Sequence, residues 1–105
     1  MAKFVLLYHV GKEKPENFDM EAMMTAWQAW VAEMAESLSD PGCGVGMSKT
    51  IYAGGRVEDN GGSNPMNGYC VIDVDDMERA VAVCKGHPYL MTGGSIEVAP
   101  AWEGH

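Results

Sequence analysis

Two histidines inside this 105-residue chain, His9 and His87, have the side chains best suited to proton transfer near neutral pH. An imidazole that faces a pocket serves as general acid or general base, because its pKa lies close to neutrality. Trp27, Trp30 and Tyr89 are the rings available to wall such a pocket, so they form the candidate ligand-binding set beside the candidate catalytic pair. The plainer reading is two partly exposed histidines at element ends. His87-Pro88 follows a helix terminus, where a protonated imidazole is stabilised by the helix dipole without any further role.

Other residue patterns speak against particular chemistries. Cys43, Cys70 and Cys84 cannot all pair within one chain, and none stands in a C-x-x-C spacing. They make neither a disulfide framework nor a zinc knuckle, and the context they suggest is the reducing cytoplasm. Two histidines without a suitably spaced carboxylate are a weak ligand set, so neither metal nor cofactor is expected. The run from Gly42 to Thr50 looks superficially like a phosphate loop. Its Lys49 follows Ser48 rather than glycine, however, and the run leads from a helix into a strand instead of the reverse. Neither a Ser-His-Asp arrangement nor a catalytic carboxylate pair can be argued from spacing.

These residues are carried by seven elements, one of them a short hairpin strand. Lys3–His9 is rich in β-formers and apolar on both faces, which predicts a first strand in a sheet covered on both sides. Lys12–Phe18 is a polar connection holding Pro15. Met20–Leu38 repeats its apolar residues at three and four, with Asp19 as N-cap and Asp40-Pro41-Gly42 as the stop. Trp27 and Trp30 lie on that stripe, where core packing is the usual role of such residues. Cys43–Gly46 reads as a bend and Met47–Ala53 as the second strand. Gly54-Gly55 then turns into a short strand at Arg56-Val57-Glu58. Asp59–Asn67 is a loop and Gly68–Val74 a third strand. Asp75 with Glu78 has capping-box spacing for a second helix that closes at Lys85-Gly86, and Ser95–Ala99 is the fourth strand.

The chain length suits one domain, residues 1–105, and a composition of 47% hydrophobic and 21% charged residues is that of a folded protein. A net charge of −8 without a Lys/Arg cluster argues against nucleic acid and against anionic membrane surfaces. The apolar run Phe4–Tyr8 is too short for a membrane span or a signal sequence.

The order β-α-β-β-α-β is that of an α+β, ferredoxin-like fold with an extra hairpin strand. Two helices cover one sheet face. Phe4, Leu6, Tyr8, Tyr69 and Val71 are expected on the other, and nothing remains in the chain to cover them. The expected partner is therefore a second copy, packed sheet to sheet as a homodimer. The same topology gathers His9, His87 and Tyr89 at one rim of the sheet.

Three segments resemble the YCII-related, or DGPF-type, domain family: Phe4-Val5-Leu6-Leu7-Tyr8, Gly68–Val74, and Gly93-Gly94-Ser95-Ile96-Glu97-Val98-Ala99-Pro100. Lys85–Leu90 resembles that family's turn after its second helix. The likeness covers nearly the whole chain and implies a dimeric α+β barrel of ferredoxin-like fold. In the enzyme-like branch, which includes a dehydrochlorinase, it implies a histidine on helix one and an Asp-Pro after helix two. This chain has the Ala26–Trp27 region and His87-Pro88 at those places, so the dyad does not carry over. The DGPF element is also absent, its loop reading Asp59-Asn60-Gly61-Gly62-Ser63-Asn64-Pro65. Two hypotheses follow. One is a non-catalytic module binding a small ligand or a partner at the rim. The other is a lyase- or isomerase-type enzyme with His87 as acid/base and His9, Trp27, Trp30 and Tyr89 shaping the pocket.

Overall fold

A computed structural model describes residues 2–59, 62 and 64–102. Strand β1 (Ala2–His9) leads through the 10–19 connection into helix α1 (Met20–Glu33). Strands β2 (Leu38–Gly44), β3 (Lys49–Ile51), β4 (Val57–Asp59) and β5 (Met66–Val74) follow. Helix α2 (Met77–Lys85), a 3₁₀ segment (Pro88–Thr92) and β6 (Ser95–Pro100) come last among the described elements. The main sheet has the order β2-β5-β1-β6 and is antiparallel throughout. This is the ferredoxin-like α+β arrangement, with β3 and β4 inserted as a separate two-stranded hairpin. No helix among the described residues is long and apolar enough to cross a membrane.

The sheet corrects the expected second strand. The stretch read as helix end, stop and bend is β2, whereas Met47–Ala53 contributes only β3, which pairs with β4 outside the main sheet. Helix α1 ends at Glu33 rather than Leu38, and the Leu38 amide still bonds back to the Met34 carbonyl at 2.8 Å as the chain turns into β2. The N-cap of α2 is Asp76, whose carboxylate accepts from the Arg79 amide at 2.9 Å, one residue later than expected. Strand β5 begins two residues early, at Met66, so the expected 59–67 loop is shortened. Its residues 60, 61 and 63 lie outside the described residues. Gly54 and Gly55 do lie in the turn of a hairpin, both with positive φ (97° and 99°), but the connection between β3 and β4 runs over residues 52–56 and is longer than the expected two-residue turn.

Alternation in β1 and β5 decides which face is covered. Phe4 pairs with Ile72 and Leu6 with Cys70, and all four are buried beneath the helices with Tyr8, Val74, Trp30, Met34 and Val83. Phe4, Leu6 and Tyr8 thus lie on the helix side, opposite to expectation. The open face presents Val5 and Leu7 beside Val71 and Tyr69, all half-buried.

Candidate functional site

An aromatic cluster assembles where the C-terminal end of β1 meets α1 and the turn after α2. Tyr8 projects from β1 toward the helices, Trp27 and Trp30 sit one turn apart on α1, and His87 and Tyr89 flank Pro88. The His87 ring lies 4.2 Å from Trp30, 4.7 Å from Trp27 and 5.0 Å from Tyr8, centroid to centroid. Tyr89 stacks at 4.9 Å on Tyr8. The four expected residues His87, Trp27, Trp30 and Tyr89 are therefore neighbours, with Tyr8 against three of them and Trp30 joined through His87.

Hydrogen bonds set the protonation of the cluster. The Tyr89 amide donates to His87 Nδ1 at 3.0 Å, which leaves that nitrogen without a proton of its own. The neutral imidazole then carries its proton on Nε2, which donates to the Tyr8 hydroxyl at 2.8 Å. The Tyr8 hydroxyl in turn lies 3.2 Å from Cys70 Sγ. His87 is only 2% exposed, and burial pushes its pKa down to about 4. The Tyr8 phenol is pushed well up, first by burial and then by its hydrogen bond to Cys70. Burial also raises the Cys84 thiol to about 11. At neutral pH the cluster is accordingly a chain of uncharged groups, with both His87 nitrogens engaged.

His9 is elsewhere. It follows Tyr8 across a β-bulge and points to the open face, where Nε2 meets Glu97 Oε1 at 2.9 Å and Nδ1 meets the Asn64 carbonyl at 3.2 Å. The two histidines do not share one pocket, because neighbouring residues of a strand address opposite faces.

A cleft of about 700 Å³ opens beside the cluster, between the end of β1, the start of α1 and the tip of β2. Tyr8, Phe18, Met23, Trp27 and Tyr89 form its apolar walls. Asn67 also lines it, its amide donating to the Val45 carbonyl at 3.1 Å and accepting from the Tyr89 hydroxyl at 3.1 Å. Lys12 and Lys14 stand at the mouth, with the Lys14 ammonium 5.2 Å from the centre of the Phe18 ring. Trp30 and His87 instead line a shallower depression of about 530 Å³ with Pro88 and Leu90. Tyr8, Phe18 and the two lysines are site residues that sequence reasoning missed. The signal for Tyr8 was its alternation with His9, and the lysines carried no pattern of their own.

Glycines permit this geometry. Gly93 ends the 3₁₀ segment at φ 83°, and a Cβ there would lie 2.6 Å from the Glu13 carbonyl oxygen. A Cβ on Gly94 would stand 2.5 Å from the His9 carbonyl oxygen and 2.7 Å from the Tyr89 ring. The glycine pair thus lets the strap carrying Lys12 and Lys14 lie directly on the turn that holds Tyr89. Among the described residues no three His, Cys, Asp or Glu side chains converge on a common point that could hold a metal ion.

No family model and no curated protein matches the chain. Its structure is similar to that of 5-chloro-2-hydroxyhydroquinone dehydrochlorinase (TftG) from Burkholderia phenoliruptrix AC1100, solved in complex with 2,5-dihydroxybenzoquinone. The two are 11% identical, the match spans 97% of this chain and 95% of that one, and the TM-score is 0.54. At that identity the likeness establishes the ferredoxin-like α+β fold and nothing finer.

Proposed function

We propose that the protein binds a small planar organic molecule in the cleft between β1, α1 and the 12–18 strap. The observation that carries this reading is the cleft itself, whose walls are aromatic rings from three separate elements. The Trp27 and Tyr89 rings stand 86° apart, so a flat ligand lies face to face with one and edge-on to the other, burying apolar area without disturbing the hydrogen bonds of the cluster behind them. A thermal-shift screen of small aromatic and aliphatic metabolites tests the proposal. Binders raise the melting temperature with occupancy, and Trp27→Ala abolishes the shift. A screen in which no planar compound protects the protein at millimolar concentration overturns it.

The lyase or isomerase reading draws on the short contact between His87 and Tyr8, which links a titratable ring to the cleft wall. In that version any proton leaving a ligand passes through the Tyr8 hydroxyl, since His87 is absent from the cleft lining. Binding without proton transfer is better supported, because both His87 nitrogens are already engaged and burial keeps the ring neutral.

Two further parts of the proposal concern context. A second copy packs against the open sheet face, supported by the apolar patch of Val5, Leu7, Tyr69 and Val71. Membership of the YCII-related family and a reducing cytoplasmic setting are supported by the three resembling segments and by three free thiols.

A further inference from the structure

The charged side chains that line the cleft are opposite in sign to the net charge of the chain, although Asp40 accepts a hydrogen bond from the lining Tyr69 at 3.3 Å. Fifteen acidic side chains outnumber seven basic ones, yet no Asp or Glu is among the described residues that line the cleft, while Lys12 and Lys14 both are. The selection is made within one short strap. Lys12-Glu13-Lys14-Pro15-Glu16 alternates charge, but its two lysines line the cleft and Glu13 and Glu16 do not. The nearby Asp19 is occupied as the N-cap of α1, accepting from the Ala22 amide at 3.1 Å. Of the other five cations, three are spent on carboxylates, Lys3 with Asp73, Lys49 with Asp59 and Arg56 with Glu58, while Arg79 and Lys85 lie on α2 and do not line the cleft. Among the described residues, no such pair involves Lys12 or Lys14. The cation–π contact with Phe18 holds the Lys14 ammonium over an aromatic wall of the cleft.

From this arrangement we infer that the ligand is a planar aromatic monoanion, its ring against Trp27 and Tyr89 and its charged oxygen at Lys12 and Lys14. The inference deepens the ligand-binding reading above and rests on it. An apolar slot with a cationic end favours a molecule with a flat body and one anionic edge, because a charge-assisted hydrogen bond adds to ring stacking. A neutral analogue keeps the stacking and loses the charge.

The test uses the full chain and three matched pairs of probes: benzoate and benzamide, salicylate and salicylamide, 2-naphthoate and 2-naphthamide. Binding is followed by the indole N–H signal of Trp27 in a ¹H–¹⁵N spectrum. Within a pair the anion is expected to bind about ten-fold more tightly, the equivalent of one charge-assisted hydrogen bond. Its affinity falls as salt is added. The double substitution Lys12→Gln with Lys14→Gln, on exposed side chains, removes that preference, so that the anion and amide of each pair bind alike. Anion and amide binding equally well, or a preference that survives the double substitution, overturns the inference while keeping the cleft. Failure of all six probes to move the Trp27 signal counts against the cleft reading and takes the inference with it.

Discussion

At the scale of single residues, the chain hides its most informative histidine. His87 is neutral because it is buried, and it is oriented because the Tyr89 amide claims Nδ1. A pH dependence of stability follows. The folded pKa of about 4 lies below the unfolded value near 6.5, so the unfolded chain binds the extra proton first. His87 therefore costs nothing above pH 6.5, and stability falls between pH 6.5 and 4. The loss reaches roughly 3 kcal/mol at its limit. Urea titrations from pH 7 to 4 should show this component in the native protein and not in His87→Asn. Parallel pH profiles for the two proteins would refute it. His87, after a helix end, and the rings of Trp27, Trp30 and Tyr89 were legible from residue type and position, whereas Tyr8 was not. The separation of His9 was not, because it depends on which strand face the helices cover.

At the scale of elements, β2 is the part that local sequence conceals. Leu38-Ser-Asp-Pro-Gly-Cys-Gly44 is nearly free of β-formers and reads as punctuation. It becomes a strand only because β5 offers it an edge. Pairing is irregular, with register shifts on both sides of Asp40, and Pro41 is tolerated because an edge strand can forgo one donor. Gly42 is the tightest point of this pairing. Its φ is 63°, and a Cβ there would overlap the Tyr69 carbonyl. Gly42→Ala is expected to cost about 2 kcal/mol or more from backbone strain and clash, and to speed hydrogen exchange across Leu38–Gly44 before the rest of the sheet. Native-like exchange and stability in that variant would show that β2 is not held in this way. Because Pro41, Cys43 and Gly44 border the cleft, the same variant should also weaken ligand binding.

At the scale of the whole molecule, the shape is a slab. Its extents are 44 × 43 × 20 Å and its radius of gyration is 15.0 Å. A compact chain of this length has a radius of about 13 Å. One layer of helices on one sheet accounts for the thin dimension. The β3–β4 hairpin adds breadth and carries apolar side chains into solvent, with Ile51 67% and Val57 54% exposed. Both features suit the proposed second copy, which would cover the open face and receive the hairpin. Light scattering is expected to give twice the chain mass at micromolar concentration. Leu7→Lys, which places a charge at the centre of that face, should give a folded species of single mass whose melting temperature no longer rises with concentration. A wild-type chain that stays monomeric at high concentration would rule this assembly out.

Sequence alone determined what depends on neighbours along the chain. The 3.6-residue repeat of α1, the Asp19 cap, the capping residues of α2 and the apolar runs of β1, β5 and β6 are local signals, and they place every element of the βαββαβ order except β2. Only the tertiary structure decided what depends on partners far away. It chose which face of β1 the helices cover, and that choice buried Tyr8 and sent His9 to the other side. It recruited 38–44 as an edge strand against β5. It also brought Lys12 and Lys14 to the mouth of a cleft walled by Trp27 and Tyr89. The reason is the same in each case: a strand's identity and its inner face are set by the hydrogen bonds and burial its partners offer, not by its own residues.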